Sequence, residues 1–536
     1  MSRIEAGFLV LLWALSCIVA TPAAAAELGA HGAALDAVGE GPVGHDNGER
    51  YPCTGLQAGA QAVICIRVGA PAGGNGSAAA PLQSINAAIA AAKAGDVLQV
   101  AAGTYAENVA LGAFNAPSST HLRLLGGFSA DFSQRDANAQ RSIIDGGLLN
   151  PAVQLHVQTA QRCVLDGFEI TRGLGLGSSW QDGYGHGGGV YAVLEGNGEI
   201  VISHNRIHGN RTRDHTSIDS RGGGIHTRNQ SGGAGTGLLR IEDNHIHDNL
   251  AGKGAGINVS GRQARLLRNA VQGNTGHNDH GGGIYVSSAA TEVRANVISG
   301  NVVGASVGYG WGGGILIAGA GADLVGNLIT DNYAPTAGAG VFWDEGAVGT
   351  MRNDLVVRNR CPEGARSGAA LYLDGGPGGP SRVQLDALTI ADHVCPGTAP
   401  NGAAIYIEAN STLSVRNTVL WGNSREFATL SGGSYTIAYS LTGAAGTGNF
   451  SADPRFADAA NLDYHLRSRG GRYTAAGWVL DALSSPAIDA GDPAADFSAE
   501  SLPNGGRMNI GAYANTAQAS RSAATDPDHL FGNGFE

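Results

Sequence analysis

Residues 244–286 read NHIHDNLAGKGAGINVSGRQARLLRNAVQGNTGHNDHGGGIYV. An N-x-aliphatic-x-x-N element occurs twice in this stretch, at Asn244 to Asn249 and at Asn269 to Asn274. Each copy is followed by a small-residue triplet and an isoleucine, Ile257 and Ile284. The same pair of elements recurs in both directions. The residue after the triplet is Val190, Ile225, Ile257, Ile284, Ile315, Val341, Leu371 and Ile405, at intervals of 26 to 35 residues. The asparagine element recurs at Asn205 to Asn210, Asn296 to Asn301 and Asn327 to Asn332, with degenerate copies ending at Asn359, Asp392 and Asn423.

A unit of this length is too short for strand, helix and strand, yet it holds two or three β-branched runs separated by glycine and asparagine. One unit therefore reads as one coil of a solenoid. Coils stacked about 4.8 Å apart let each strand pair with its equivalents above and below, and equivalent asparagines form side-chain ladders. The composition agrees: 85 glycines without a Gly-X-Y period and only 15% charged residues indicate many turns between short strands.

The paired repeat resembles the right-handed parallel β-helix of the pectate-lyase-like superfamily, and it is also similar to polymorphic outer-membrane protein repeats. Both resemblances cover roughly Asp145 to Asn423. Upstream, Pro81 to Lys93 reads as an amphipathic helix, followed by a strand at Val97 to Val100 and a turn at Gly103 to Tyr105, which resembles the N-terminal cap of such proteins. Downstream, DPRF at Asp453, DYHL at Asp463, SPAIDAG at Ser485 and NIGAY at Asn509 resemble the choice-of-anchor Q family, which implies a location at the cell surface or outside the cell rather than an activity. The fold expected is all-β, a right-handed parallel β-helix with an N-terminal cap and a C-terminal capping or anchor region. The divisions expected are a leader at 1–26, an extension at 27–80, the β-helix at 81–440, the anchor-like region at 441–516 and a tail at 517–536.

The leader is read from Arg3, an apolar run from Phe8 to Ala20 and an alanine-rich stretch ending at Ala26, the layout of a cleaved secretory signal. No later apolar run is long enough to span a bilayer. The net charge of −12 argues against nucleic acid as a general partner. Between Arg206 and Arg268, however, ten arginines and lysines outnumber the acids around them, enough to hold a polyanion locally. An exported chain also favours disulfides. Cys361 and Cys395 lie 34 residues apart, as do Gly368 and Gly402 at the next two triplets, so the two cysteines should stack on adjacent coils and pair. Cys53 and Cys65 would then pair in the N-terminal region, leaving Cys163 as a buried thiol.

Alternate residues of a strand point to opposite sides. If the residues after the triplets face the core, their successors Tyr191, His226, Asn258, Tyr285, Leu316, Phe342, Tyr372 and Tyr406 face outward. Tyr191, Tyr285, Phe342, Tyr372 and Tyr406 are the expected sugar-stacking surface, unless loops cover these rings or the rings stack on one another. Two positions further on, Asp344, Asp374 and Glu408 form a carboxylate ladder that requires a cation such as Ca²⁺, a raised pKa or full solvation. Two of the three acids could also serve a glycoside hydrolase. A competing set is His226, Arg228 and Lys253, a base with cations to hold an enolate-like charge. The resemblance implies lyase chemistry there, with lysine or arginine as base and Ca²⁺ or arginine as neutraliser. His208, His245 and His247 share a face suited to Zn²⁺, but without a cysteine or carboxylate partner evident in the sequence. The reading that follows is a secreted or outer-surface β-helix that binds extracellular, acidic polysaccharide or a cell-surface glycan, with lyase or hydrolase chemistry as an extension. The rival is a non-enzymatic adhesin.

Overall fold

The computed structural model describes residues 50–523, apart from 58–60, 112–120, 159, 176–184, 218, 230–235, 262, 289, 306–307, 364–367 and 398–401. The leader and the end of the tail lie outside these residues.

Three long parallel sheets run the length of the molecule. The first has 11 strands, from Val109–Leu111 to Phe427–Thr429, and holds the triplet-led strands. The second has 13, from Val63–Ile66 to Ser434–Ala438. The third has 11, from Gly103–Tyr105 to Val419–Trp421. Each coil contributes one strand to each sheet in that order. The register read from sequence holds: Val190, Ile225, Ile257, Ile284, Ile315, Val341, Leu371 and Ile405 are successive partners in the first sheet. All eight are buried in one apolar column that fills the solenoid. A short four-stranded flank, from Leu174–Gly175 through Arg211–Thr212 and Leu250–Lys253 to Thr275–His280, continues the coils between the third and first sheets.

Asparagines sit at both ends of the third sheet because each sharp turn there leaves a backbone N–H pointing at the next coil. In the first ladder Asn205, Asn244, Asn269, Asn296 and Asn327 each donate, through backbone N and side-chain Nδ2, to the side-chain oxygen of the next member. The ladder ends on Asp354. The second runs from Asn210 through Asn249, Asn274, Asn301 and Asn332 to Asn359. Beyond it the sequence alignment is off by one residue. Asp392 takes the left-handed turn position at φ 57°, and His393 fills the ladder, accepting from Asn359 N through Nδ1 and donating from Nε2 to the Val356 carbonyl. Burial drives the His393 pKa down to about 4, in keeping with a neutral ring.

At the N-terminal end the helix is Ile85–Ala91, shorter than expected. The Ser84 side chain caps it, and the Glu107 carboxylate accepts from the backbone of Ile85 and Asn86. Ile85 and Ala88 plug the end of the core. Val63–Ile66, read from sequence as extension, pairs with Val97–Ala101 as the first strand of the second sheet. Both expected disulfides are present, with Cα separations of 5.8 Å for Cys53–Cys65 and 4.8 Å for Cys361–Cys395, and Cys163 is a buried thiol.

The C-terminal region folds back along the outside of the third sheet. Tyr464, Ala512 and Tyr513 pack on Val297, Leu328, Leu355, Val357 and Ala391. Asn353 donates to the carbonyls of Ala512 and Ala514, and Tyr464 donates to Asp392. Where this region covers the sheet, the outward column Val297, Leu328 and Leu355 is apolar and ends on Thr389, whose hydroxyl accepts from Ala512 N. Before it begins, the same positions carry Arg206 and His245.

Candidate functional site

The aromatic column of the first sheet points away from the solenoid core, as expected, but it is enclosed. Phe342, Tyr372 and Tyr406 are at most 2% exposed and stack face to face, with centroids 5.0 Å apart in both pairs. Tyr191 is buried against the His226 ring. Only Tyr285 of the five expected sugar-stacking residues keeps intermediate exposure. The cause lies in the triplets themselves. Their first glycine adopts positive φ, 62° at Gly338 and 65° at Gly222, and a Cβ there would lie 2.8 Å from the Phe342 Cβ and 2.7 Å from the His226 Cβ. The chain is folded directly onto the column, so the rings serve a second apolar layer, joined by Leu316, Ala337 and Ala403.

This geometry also changes the two catalytic sets. His226 is 2% exposed, lies under the His186 ring at 4.9 Å, and has a pKa held well below its ordinary value by burial and by His186, Arg221 and Arg228. Arg228 and Lys253 remain half-buried. Among the acids, Glu408 is buried and accepts the Tyr372 hydroxyl at 2.5 Å. Asp344 and Asp374 cap the backbone N–H of Glu345 and Gly375, each at 2.7 Å. Burial first, then the charges of Asp374 and Glu345, push the Asp344 pKa up to about 6. Among the described residues no group of three or more histidine, cysteine or acidic side chains is arranged to hold a metal ion. The expected Ca²⁺ cage is therefore not formed: its oxygens are turned to local donors. His208, His245 and His247 stack on one another, but they hydrogen-bond to Glu169, Gln272 and Asp248.

The feature that sequence reasoning passed over is the residue immediately before each triplet. His186, Arg221, Lys253, His280 and Trp311 are bridged in sequence, one per coil, along the rim between the flank and the first sheet. Four of the five are basic residue types. Arg221, Lys253, His280 and Trp311 are partly exposed. Aromatic rings border the far end: Lys253 Nζ lies 5.9 Å from the Tyr285 centroid, and Trp311 lies 5.6 Å from His280 and 5.9 Å from Tyr309, which is 47% exposed. The sequence signal was available, since the triplet register alone aligns these five positions.

The family described as "Right handed beta helix region" matches residues 140–329, "Disaggregatase related" matches 397–491 and "Protein of unknown function (DUF1565)" matches 69–112. Among solved structures, the pectate lyase Pel9A is similar at 13% identity and a TM-score of 0.42, with 86% of this chain and 99% of that chain covered. XylC in complex with xylose is similar at 10% identity and a TM-score of 0.34, with 71% and 75% covered. No curated protein matches the chain. The three stacked parallel sheets and the first of these families define the class: this is a right-handed parallel β-helix protein.

Proposed function

We propose that the protein is a secreted or cell-surface β-helix that binds an acidic polysaccharide lengthwise along the rim formed by Arg221, Lys253 and His280, with Tyr285, Trp311 and Tyr309 receiving sugar rings at one end. The observation that carries this reading is the regular placement of basic residue types, one per coil about 4.8 Å apart, with the cations Arg221 and Lys253 on adjacent coils at its centre. A uniform chain of uronate or sulfated sugars presents anions in the same linear way. Two disulfides and the anchor-like motifs of the C-terminal region support a location outside the cell.

The test is affinity electrophoresis through gels containing polygalacturonate, alginate or chondroitin sulfate. Retardation of the wild type that weakens with added salt, and weakens further in Arg221→Ala and Lys253→Ala, supports the reading. Migration unaffected by all three polymers refutes it. Ultraviolet absorbance of unsaturated uronate ends in the same mixtures distinguishes a lyase from a binding protein.

One observation favours a hydrolytic reading. Asp344, whose pKa burial raises to about 6, has the Asp374 carboxylate on the adjacent coil as one cause of that shift, so two carboxyls are paired in adjacent coils. Release of reducing ends that disappears in Asp344→Asn is its signature.

A further inference from the structure

The outer face of the second sheet carries a separate open groove of about 830 Å³, on a different sheet from the strands that the basic rim borders. Its floor is set by strand register: Asp323, Thr350, Gln384, Ser414 and Thr436 are successive partners on five coils, and all five side chains are exposed. Thr350 Oγ1 donates to Asp323 at 2.8 Å. Among the described residues the side chains of Gln384, Ser414 and Thr436 have no hydrogen-bond partner within the protein. A parallel outward column carries Val348, 50% exposed, and Arg382, and continues through Thr412 and Ser434.

From this arrangement we infer that the groove is a second carbohydrate site, specific for a neutral polysaccharide. Hydroxyl and carboxamide groups donate and accept equally, which suits sugar hydroxyls of either role. The apolar face of a pyranose ring can pack on the exposed Val348. The charge pattern selects against polyanions: the lining holds one cation, Arg382, and one acid, Asp323, so it has no net charge to offset the hydration an acidic chain would lose. The occupant is extended because the column advances one side chain per coil, about 4.8 Å each. With the basic rim on another face, the protein would then hold two chemically different glycans at once, but the groove stands on its own observations and does not require the rim to bind.

Isothermal titration of the full mature chain with cello-, xylo-, manno- and malto-hexaoses, at low and high salt, tests the inference. At least one neutral hexaose should bind with an affinity insensitive to salt. Gln384→Ala and Ser414→Arg, both on the solvent side of the sheet, should weaken it about tenfold or more. Lys253→Ala should leave it unchanged. No binding by any of the four sugars overturns the inference. So does binding lost equally in Lys253→Ala, or a wild-type dimer in sedimentation that Ser414→Arg dissolves, which would make the groove a self-association face. Circular dichroism identifies any variant that fails for lack of folding.

Discussion

Replacing Asp354 by asparagine should stabilise the protein, and by an amount that depends on pH. Asp354 is the last member of the first ladder and is fully buried. Its Oδ1 accepts from Asn327 N and Nδ2, both at 2.8 Å, but Oδ2 is buried without a hydrogen-bond partner among the described residues. In the preceding member, Asn327 Nδ2 donates to the Val293 carbonyl. By strand register the Leu324 carbonyl holds that place for position 354. An amide satisfies this acceptor and an ionised carboxylate repels it. Burial accordingly raises the Asp354 pKa from 3.8 to about 7. The sign follows from proton linkage. The native state holds the proton more tightly than the unfolded chain, so below pH ~4 both states are neutral and no cost arises. As pH climbs from ~4 to ~7 the unfolded chain alone ionises, and native stability falls by about 1.4 kcal/mol per unit, reaching roughly 4 kcal/mol. Asp354→Asn removes this dependence. Denaturant unfolding of both proteins between about pH 4 and 8 should show a difference near zero at the acid end, a rise to about pH 7 and a plateau beyond. A difference that is flat with pH, or a variant less stable throughout, would refute the argument.

Four other outcomes can be checked with the same material. Tyr406→Ala should destabilise the fold by about 3 kcal/mol or more, because the ring is a buried packing element, and thermal melting will separate this from a change in glycan binding alone. Removing the Cys361–Cys395 bridge with a double alanine variant should cost about 3–4 kcal/mol for a loop of 34 residues, and reductant should lower the melting temperature of the wild type by more than that of the variant, which keeps Cys53–Cys65. Asn269→Ala, in the middle of the first ladder, leaves the buried Asn244 N without its acceptor and takes one of three acceptors from Asn244 Nδ2, and should cost about 2 kcal/mol, read as a lower midpoint in urea. Excess Ca²⁺ should leave the melting temperature where chelator leaves it, since Asp344, Asp374 and Glu408 are committed to local donors; a rise on adding Ca²⁺ would reinstate a cation site there.

The solenoid was legible because its repeat is built from residues with few substitutes. Asparagine at a coil corner and glycine at the start of a triplet are each required by geometry, so their spacing reports strand register directly, down to the pairing of Cys361 with Cys395. The site was less legible for the same geometric reason. Alternation shows which side of a strand a residue occupies, not whether another segment lies over it. Phe342, Tyr372 and Tyr406 do face outward, yet the glycine that makes the triplet recognisable brings the backbone down upon them. Coverage is a contact between segments that vary in length from coil to coil, and no period in the sequence records it. Asp392 illustrates the remaining error: a polar residue at about the right spacing was aligned with the ladder, when the adjacent His393 supplies the acceptor.

The strap of C-terminal residues along the third sheet alters how this solenoid can behave as a repeat. In a simple stack each coil touches only its neighbours, so coils fray from the end and can be duplicated or lost with little effect elsewhere. Here Tyr464, Ala512 and Tyr513 touch strands on coils from Val297 to Ala391, and Asn353 and Asp392 are tied to the same strap. Adding one coil inside this span would carry half of these contacts about 4.8 Å out of step with the other half. Changes in length are therefore confined to the coils before Val297, the part of the molecule that carries most of the basic rim. The length of that track can vary while the fastened end keeps its dimensions.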